Sequence, residues 1–246
     1  MKIIAPKYIK VRIFLLISLI SILGCILGGT ALYNLFSVSD VSSGIKKYST
    51  VIIDAGHGGP DGGTSSADGT LEKEINLQIA LKLNDILRSM GVETVMVRTE
   101  DISIHDESAK TIREKKISDI KNRLSIMNNT DNAVFVSIHQ NHYSQSQYNG
   151  AQVFYSKNNP DSALLADSVR HSIITVLQPD NSRETKTAGS EIYLLHHAEV
   201  PAVMVECGFL SNPEETEKLK NDNYQRNMAF LIALGILDFI NKTEAV

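Results

Sequence analysis

Apolar positions along this chain fall into three patterns. The first is one long uncharged run. Residues 13–32 carry no Asp, Glu, Lys or Arg and are rich in Ile and Leu. That is long enough to cross a bilayer as a helix. The second pattern is short and β-branched: residues 50–53, 94–97, 133–138, 151–155, 192–195 and 202–205. Such runs, bounded by polar or glycine-containing segments, predict buried strands. The third has helical spacing. Ile75, Ile79, Leu83 and Ile86/Leu87 share one face of a helix predicted over 72–90, closed by Gly91. Further helices are predicted over 117–129, 160–177 and 224–239. Asn212, Pro213 and Glu215 mark another helix start as N-cap, first helical position and capping box. Strands alternating with helices predict an α/β fold: a single domain whose central sheet, mostly parallel or mixed, is flanked by helices.

The flanks of the long apolar run orient it. Lys2, Lys7, Lys10 and Arg12 precede it, and no Lys or Arg follows closely. The positive-inside rule leaves 1–12 in the cytoplasm, makes 13–36 a transmembrane anchor, and exports the rest. A cleaved signal is the rival reading, but the apolar run exceeds a usual signal core and no clear cleavage site follows it. Residues 37–49 are polar and Ser-rich, as a linker would be, and 50–242 form the expected catalytic domain. Localisation is therefore expected to be membrane-anchored with an extracytoplasmic domain.

Composition excludes some classes. A formal net charge of −4 gives no sign of nucleic-acid binding. Cys25 lies in the apolar run and Cys207 in the domain, so no disulfide framework is available. Cys207 reads as a small buried residue. With no Trp in the chain, an aromatic sugar groove would have to use Tyr or Phe.

The chemistry sits where strands end. His57 follows the first strand, between Gly56 and Gly58-Gly59. His139 ends the strand over 133–138, and Glu206 ends the one over 202–205. Ligands gather beyond the carboxyl ends of strands in α/β sheets. Glu72, opening a helix, can swing in beside them. Two His and one Glu form a zinc set of the catalytic kind, and a second Glu would be a general base. Each residue also has a bland reading. His57 fits a turn, and Glu72 or Glu74 fits the acidic start of a helix. Spacing does not choose between Glu72 and Glu74. Glu206 is harder to dismiss, because a buried carboxylate is costly unless paired or metal-bound. Asp54 either orients the His57 ring or only caps the loop.

Four segments together resemble a known family. Ile53-Asp54-Ala55-Gly56-His57-Gly58-Gly59, Glu72-Lys73-Glu74-Ile75-Asn76-Leu77, Ser137-Ile138-His139-Gln140-Asn141 and Val205-Glu206-Cys207-Gly208-Phe209-Leu210-Ser211-Asn212-Pro213 are similar to the zinc-dependent N-acetylmuramoyl-L-alanine amidases of the "amidase 3" type. The anchor and short domain look most like the germination-specific members of endospore formers, which act in making spore cortex. The resemblance implies zinc held by His57, Glu72 and His139, with Glu206 catalytic. It implies peptidoglycan as substrate, and hydrolysis of the amide between the muramic acid lactyl group and L-alanine, in spore cortex maturation with muramic-lactam formation. Arg123 matches a family arginine of structural role. Arg98-Thr99 reverses the usual order, which leaves the role of Arg98 open. Gln140, Asn141 and residues 178–190 are expected to contact glycan. An activating protein partner is left open. The alternatives are another zinc peptidase or deacetylase of the wall, or a non-catalytic membrane-tethered wall-binding protein.

Overall fold

The computed structural model describes residues 47–244. The expected anchor at 13–36, the basic segment before it and most of the linker lie outside the described residues. The elements run β1 (Thr50–Ala55), α1 (Glu72–Ser89), β2 (Glu93–Met96), α2 (Ile112–Asn128), β3 (Ala133–Asn141), β4 (Gln152–Tyr155), α3 (Asp161–Val176), β5 (Lys186–Thr187), α4 (Tyr193–His196), β6 (Ala202–Phe209), α5 (Pro213–Lys220) and α6 (Asp222–Glu244).

The strands form one sheet in the order β2-β1-β3-β6-β4-β5. From β2 to β6 neighbours are parallel, while β4 runs antiparallel to β6. The sheet is therefore mixed. Residues 142–151, between β3 and β4, hold no helix. A parallel return needs a crossover of about a dozen residues or more, usually helical, so β4 comes back in the opposite sense.

Side chains alternate across the sheet, and each face has its own core. Val51, Ile53, Val134, Val136, Val203 and Val205 point into the larger one, with Ile79 and Leu83 of α1, Val169 of α3 and Ile232 and Phe239 of α6. Ile52, Phe135 and Ala202 point the other way, against Met127 of α2 and Leu194 and Leu195 of α4. Helices thus cover both faces. Because α1 and α2 lie on opposite faces, the chain reverses direction between β1 and β3. Crevices beyond the carboxyl ends of strands at such a reversal are where α/β sheets bind ligands.

Several boundaries differ from the sequence reading. The strand expected at 192–195 is a helical turn, Tyr193–His196. Its Leu194 and Leu195 are buried, and a short apolar run cannot distinguish a buried strand from a buried turn. Helix α2 begins at Ile112 rather than 117. Thr111 accepts the Glu114 N–H while the Glu114 carboxylate accepts the Thr111 N–H, a capping box inside a polar stretch. Glu215 does not complete the expected box at α5. Asn212 accepts the N–H groups of Glu214 and Glu215. The Glu215 carboxylate instead accepts N–H groups of Gly150 and Phe209, at 2.9 and 3.0 Å.

Candidate metal centre

Three side chains converge at the carboxyl rim of β1 and β3. His57, Glu72 and His139 offer ligand atoms that all lie within 4.8 Å of one another. His57 follows the end of β1 in a left-handed conformation, φ 62°. That backbone is uncommon outside glycine. Here it turns the chain off the sheet directly after the strand. His139 lies near the carboxyl end of strand β3, and Glu72 is the first residue of α1. Glu72 Oε2 lies 3.2 Å from His57 Nε2, and its Oε1 lies 2.8 Å from His139 Nδ1. Glu74 is exposed, so geometry selects Glu72.

Two glycines make room for this approach. A Cβ at Gly56 would stand 2.2 Å from His139 Nε2, and one at Gly63 2.5 Å from Glu72 Oε2. Neither could exist without displacing a convergent side chain. Glu72 is also held by donors: the Thr64 N–H at 2.9 Å, the Gln140 N–H at 3.2 Å and Asn76 Nδ2 at 3.2 Å. Burial alone would raise the Glu72 pKa, but His139 and His57 outweigh it and hold it below the carboxylate range. Burial would likewise depress His57. The Asp61 and Glu72 carboxylates, accepting hydrogen bonds from its ring, reverse this and push it up to about 9.

The partner of the His57 ring is Asp61, whose Oδ2 lies 3.0 Å from Nδ1. Of the two readings left open for Asp54, orienting that ring is thus excluded, since Asp61 does so. Asp54 is buried, bonded to Arg123 and to Ser137 Oγ at 2.6 Å. Asp54 lies within strand β1, and its carboxylate finds its counter-charge in Arg123 inside the fold. Arg123 also donates to Asp119 at 2.6 Å, Ala55 O at 3.0 Å and His57 O at 2.7 Å. Arg98, whose role the sequence left open, donates to Ala55 O, Gly56 O and Lys73 O at 2.8, 3.0 and 2.8 Å. Two buried guanidinium groups thus clamp the backbone on which His57 rides. Arg98 also ties that backbone to the start of α1.

Glu206 lies directly across from His139 in the β3–β6 register. Its Oε2 is buried without a hydrogen-bond partner. Burial, offset by His139, raises its pKa to about 7. Cys207, next in sequence, points to the opposite face and is buried in the larger core.

A cleft beside His57 and His139 is walled by Lys116, Asp119 and Ile120 of α2 and by Glu191, Ile192 and Tyr193 ahead of and within α4. Sequence reasoning missed this wall. Its one signal in the sequence is the apolar run at 192–195, whose length fits a short strand as well as this helical turn. Gln140, expected at the glycan surface, is instead buried, and its Nε2 donates to Asn76 Oδ1 at 3.1 Å.

The donor set suits a metal. Two imidazoles and one carboxylate are what a catalytic zinc site offers while leaving a position open. The unpartnered Glu206 oxygen beside them agrees, since a buried polar atom calls for a partner that the protein itself does not supply.

Comparison with known proteins agrees with this geometry. The sequence pattern of the N-acetylmuramoyl-L-alanine amidase family matches residues 51–238. The chain is 30% identical over 192 residues to the germination-specific N-acetylmuramoyl-L-alanine amidase of Bacillus subtilis (strain 168), covering 78% of this chain and 80% of that one. It superposes on the CwlD amidase of Clostridioides difficile, solved in complex with the GerS lipoprotein, with a TM-score of 0.76 and 41% identity, covering 79% of this chain and 99% of that one. An N-acetylmuramoyl-L-alanine amidase of Clostridium difficile 630 gives 0.67 and 32%, over 79% and 98% of the two chains.

Proposed function

This chain belongs to the N-acetylmuramoyl-L-alanine amidase family, and we propose that it works with zinc held by His57, Glu72 and His139, with Glu206 as its catalytic base, in spore cortex maturation. The reaction is hydrolysis of the amide that joins the muramic acid lactyl group to L-alanine in peptidoglycan. The observation that carries the zinc reading is the mutual approach of three ligand atoms within 4.8 Å.

When bound, zinc supplies Lewis acidity that brings the pKa of water towards about 7 and polarises a carbonyl oxygen. The remaining work falls to the chain's own groups. Glu206 accepts a proton from the attacking water and returns it to the departing alanine nitrogen. A cation in the adjacent site favours its carboxylate form, the form a base requires. Asp61 holds the His57 ring through Nδ1 and so leaves Nε2 facing Glu72 and His139.

The cortex role, with muramic-lactam formation, is part of this proposal; the similarity to a germination-specific amidase of Bacillus subtilis supports its link to the spore. The apolar run at 13–36 supports an anchor with the domain outside the cytoplasm. A protein partner for this chain is a further part of the proposal, supported by the lipoprotein bound to the Clostridioides difficile amidase.

Mass spectrometry of purified peptidoglycan, digested with and without zinc, tests the reading. The expected products are peptide-free muramic acid and peptides with a free L-alanine amine. Cuts between stem residues, or loss of acetyl groups alone, would replace it with a peptidase or deacetylase.

A further inference from the structure

A second hollow opens on the strand next to Glu206. Gln152 of β4 stands opposite Glu206 in the β4–β6 register and lines this hollow. Tyr143, Tyr148, Phe154 and Phe209 form its aromatic wall, and among the described residues Arg183 and Lys186 are its only charged lining groups. The Arg183 guanidinium lies over Phe209 at 4.7 Å and Tyr148 at 5.8 Å, with Nε bonded to Asn149 O at 2.9 Å. Among the described residues neither Arg183 nor Lys186 has a carboxylate partner. Gln152 is 3% exposed, and its Oε1 has no donor. The cleft on the other side differs in charge. Asp54, Asp61, Asp119 and Glu191 line it alongside Lys116 and Arg123, so its acidic groups outnumber its cations.

A scissile amide held at Glu206 has one half of its substrate on each side. The half bearing carboxylate is favoured over the cationic hollow and disfavoured over the acidic cleft. Stacking on two rings pre-orients the Arg183 fork for a planar anion. The free Gln152 carbonyl needs an N–H, which a peptide backbone supplies.

We infer that this hollow is the stem-peptide subsite, in which Arg183 and Lys186 hold a carboxylate one residue beyond L-alanine and Gln152 Oε1 accepts a peptide N–H. The inference rests on the amidase reading and adds a direction to it: peptide over β4, sugar towards α4.

The test uses the zinc-loaded full chain in detergent and two soluble substrates, N-acetylmuramoyl-L-alanyl-γ-D-glutamyl-L-lysine amide and the same compound with the glutamate α-carboxyl amidated, so that the pair differ only in the one free carboxylate on the residue beyond L-alanine. A charge-assisted contact predicts kcat/KM about tenfold or more higher for the acid, expressed mainly in KM. Arg183→Gln and Lys186→Met each bring the ratio of the two substrates towards one. Lys186 is exposed, so its variant folds even if the Arg183 variant does not. Lys121→Met, on α2, leaves the ratio unaltered. Equal turnover of acid and amide by the unmodified chain overturns the subsite and leaves the amidase reading standing. An acid preference that survives both substitutions also overturns it. No hydrolysis of either substrate removes the amidase reading, and the subsite with it.

Discussion

Glu206 and His139 are register partners on adjacent parallel strands, but only His139 belongs to the convergent donor set. The two side chains leave the same face of the sheet at the same height. His139 turns toward Glu72, whereas Glu206 keeps one buried oxygen without a partner. A base adjoining a metal needs this separation, close enough to share a water and not spent as a ligand.

That separation predicts opposite outcomes for two similar substitutions. Glu206→Gln preserves shape and leaves the donor set whole, so metal content and fold should persist while turnover falls ~10²–10⁴-fold. Glu72→Gln replaces a charged ligand by a neutral one and should lower metal content. Elemental analysis and rate, measured on both variants, check the pair. Metal lost from the first and kept by the second would exchange the two roles.

Gly63→Ala should weaken metal binding without replacing any ligand. Its φ is +69°, and the added Cβ would meet Glu72 Oε2 at 2.5 Å and His57 Cδ2 at 2.7 Å. Displaced support of a ligand typically costs ~10–100-fold in metal affinity. Gly69→Ala is the control, because φ is +88° there too but nothing lies within 4 Å. It shares the backbone strain and not the collision. Competition with a chelator separates the two, and equal affinities would refute the steric account.

The sequence made the centre of this fold legible and its edges less so. Val51–Ile53 and Val134–Val136 are continuous apolar runs because both faces of their strands are buried. Their polar ends, His57 and His139, therefore marked the rim. Glu72 could be separated from Glu74 by geometry, since the first faces the histidines and the second faces solvent. Asp54 and Arg123 are 69 positions apart, and pairing across such a distance leaves no local pattern. The turn at Tyr193–His196 was missed because four residues are too few to show a period. Gln140 looked like a groove residue from its place after His139, but strand β3 continues through it and carries its side chain inward.

The full chain should fractionate with membranes, with its domain outside the cytoplasm. Lys2, Lys7, Lys10 and Arg12 stand before the uncharged run and no Lys or Arg follows closely. Protease added to intact protoplasts should degrade the domain. Complete protection would reverse the orientation.

Arg123→Met should destabilise the domain strongly near neutral pH and much less in acid. The Arg123 and Asp54 side chains are 2% and 1% exposed. Removing one member of a buried pair leaves an uncompensated charge, at a cost of about 3–5 kcal/mol. The pH dependence follows from Asp54. Burial alone would raise its pKa, but Arg123 and Ser137 hold it below the ordinary 3.8. A depressed carboxylate stabilises the fold above its unfolded value and loses that contribution as pH falls through the folded one. Without Arg123 the stranded carboxylate can protonate, which relieves the penalty. The gap in unfolding free energy between the unmodified chain and the variant should therefore be widest near neutrality and narrow below 3.8. Denaturant melts of the metal-free protein at several pH values measure it. A gap independent of pH would mean that Arg123 acts through its bonds to Ala55 O and His57 O rather than through Asp54.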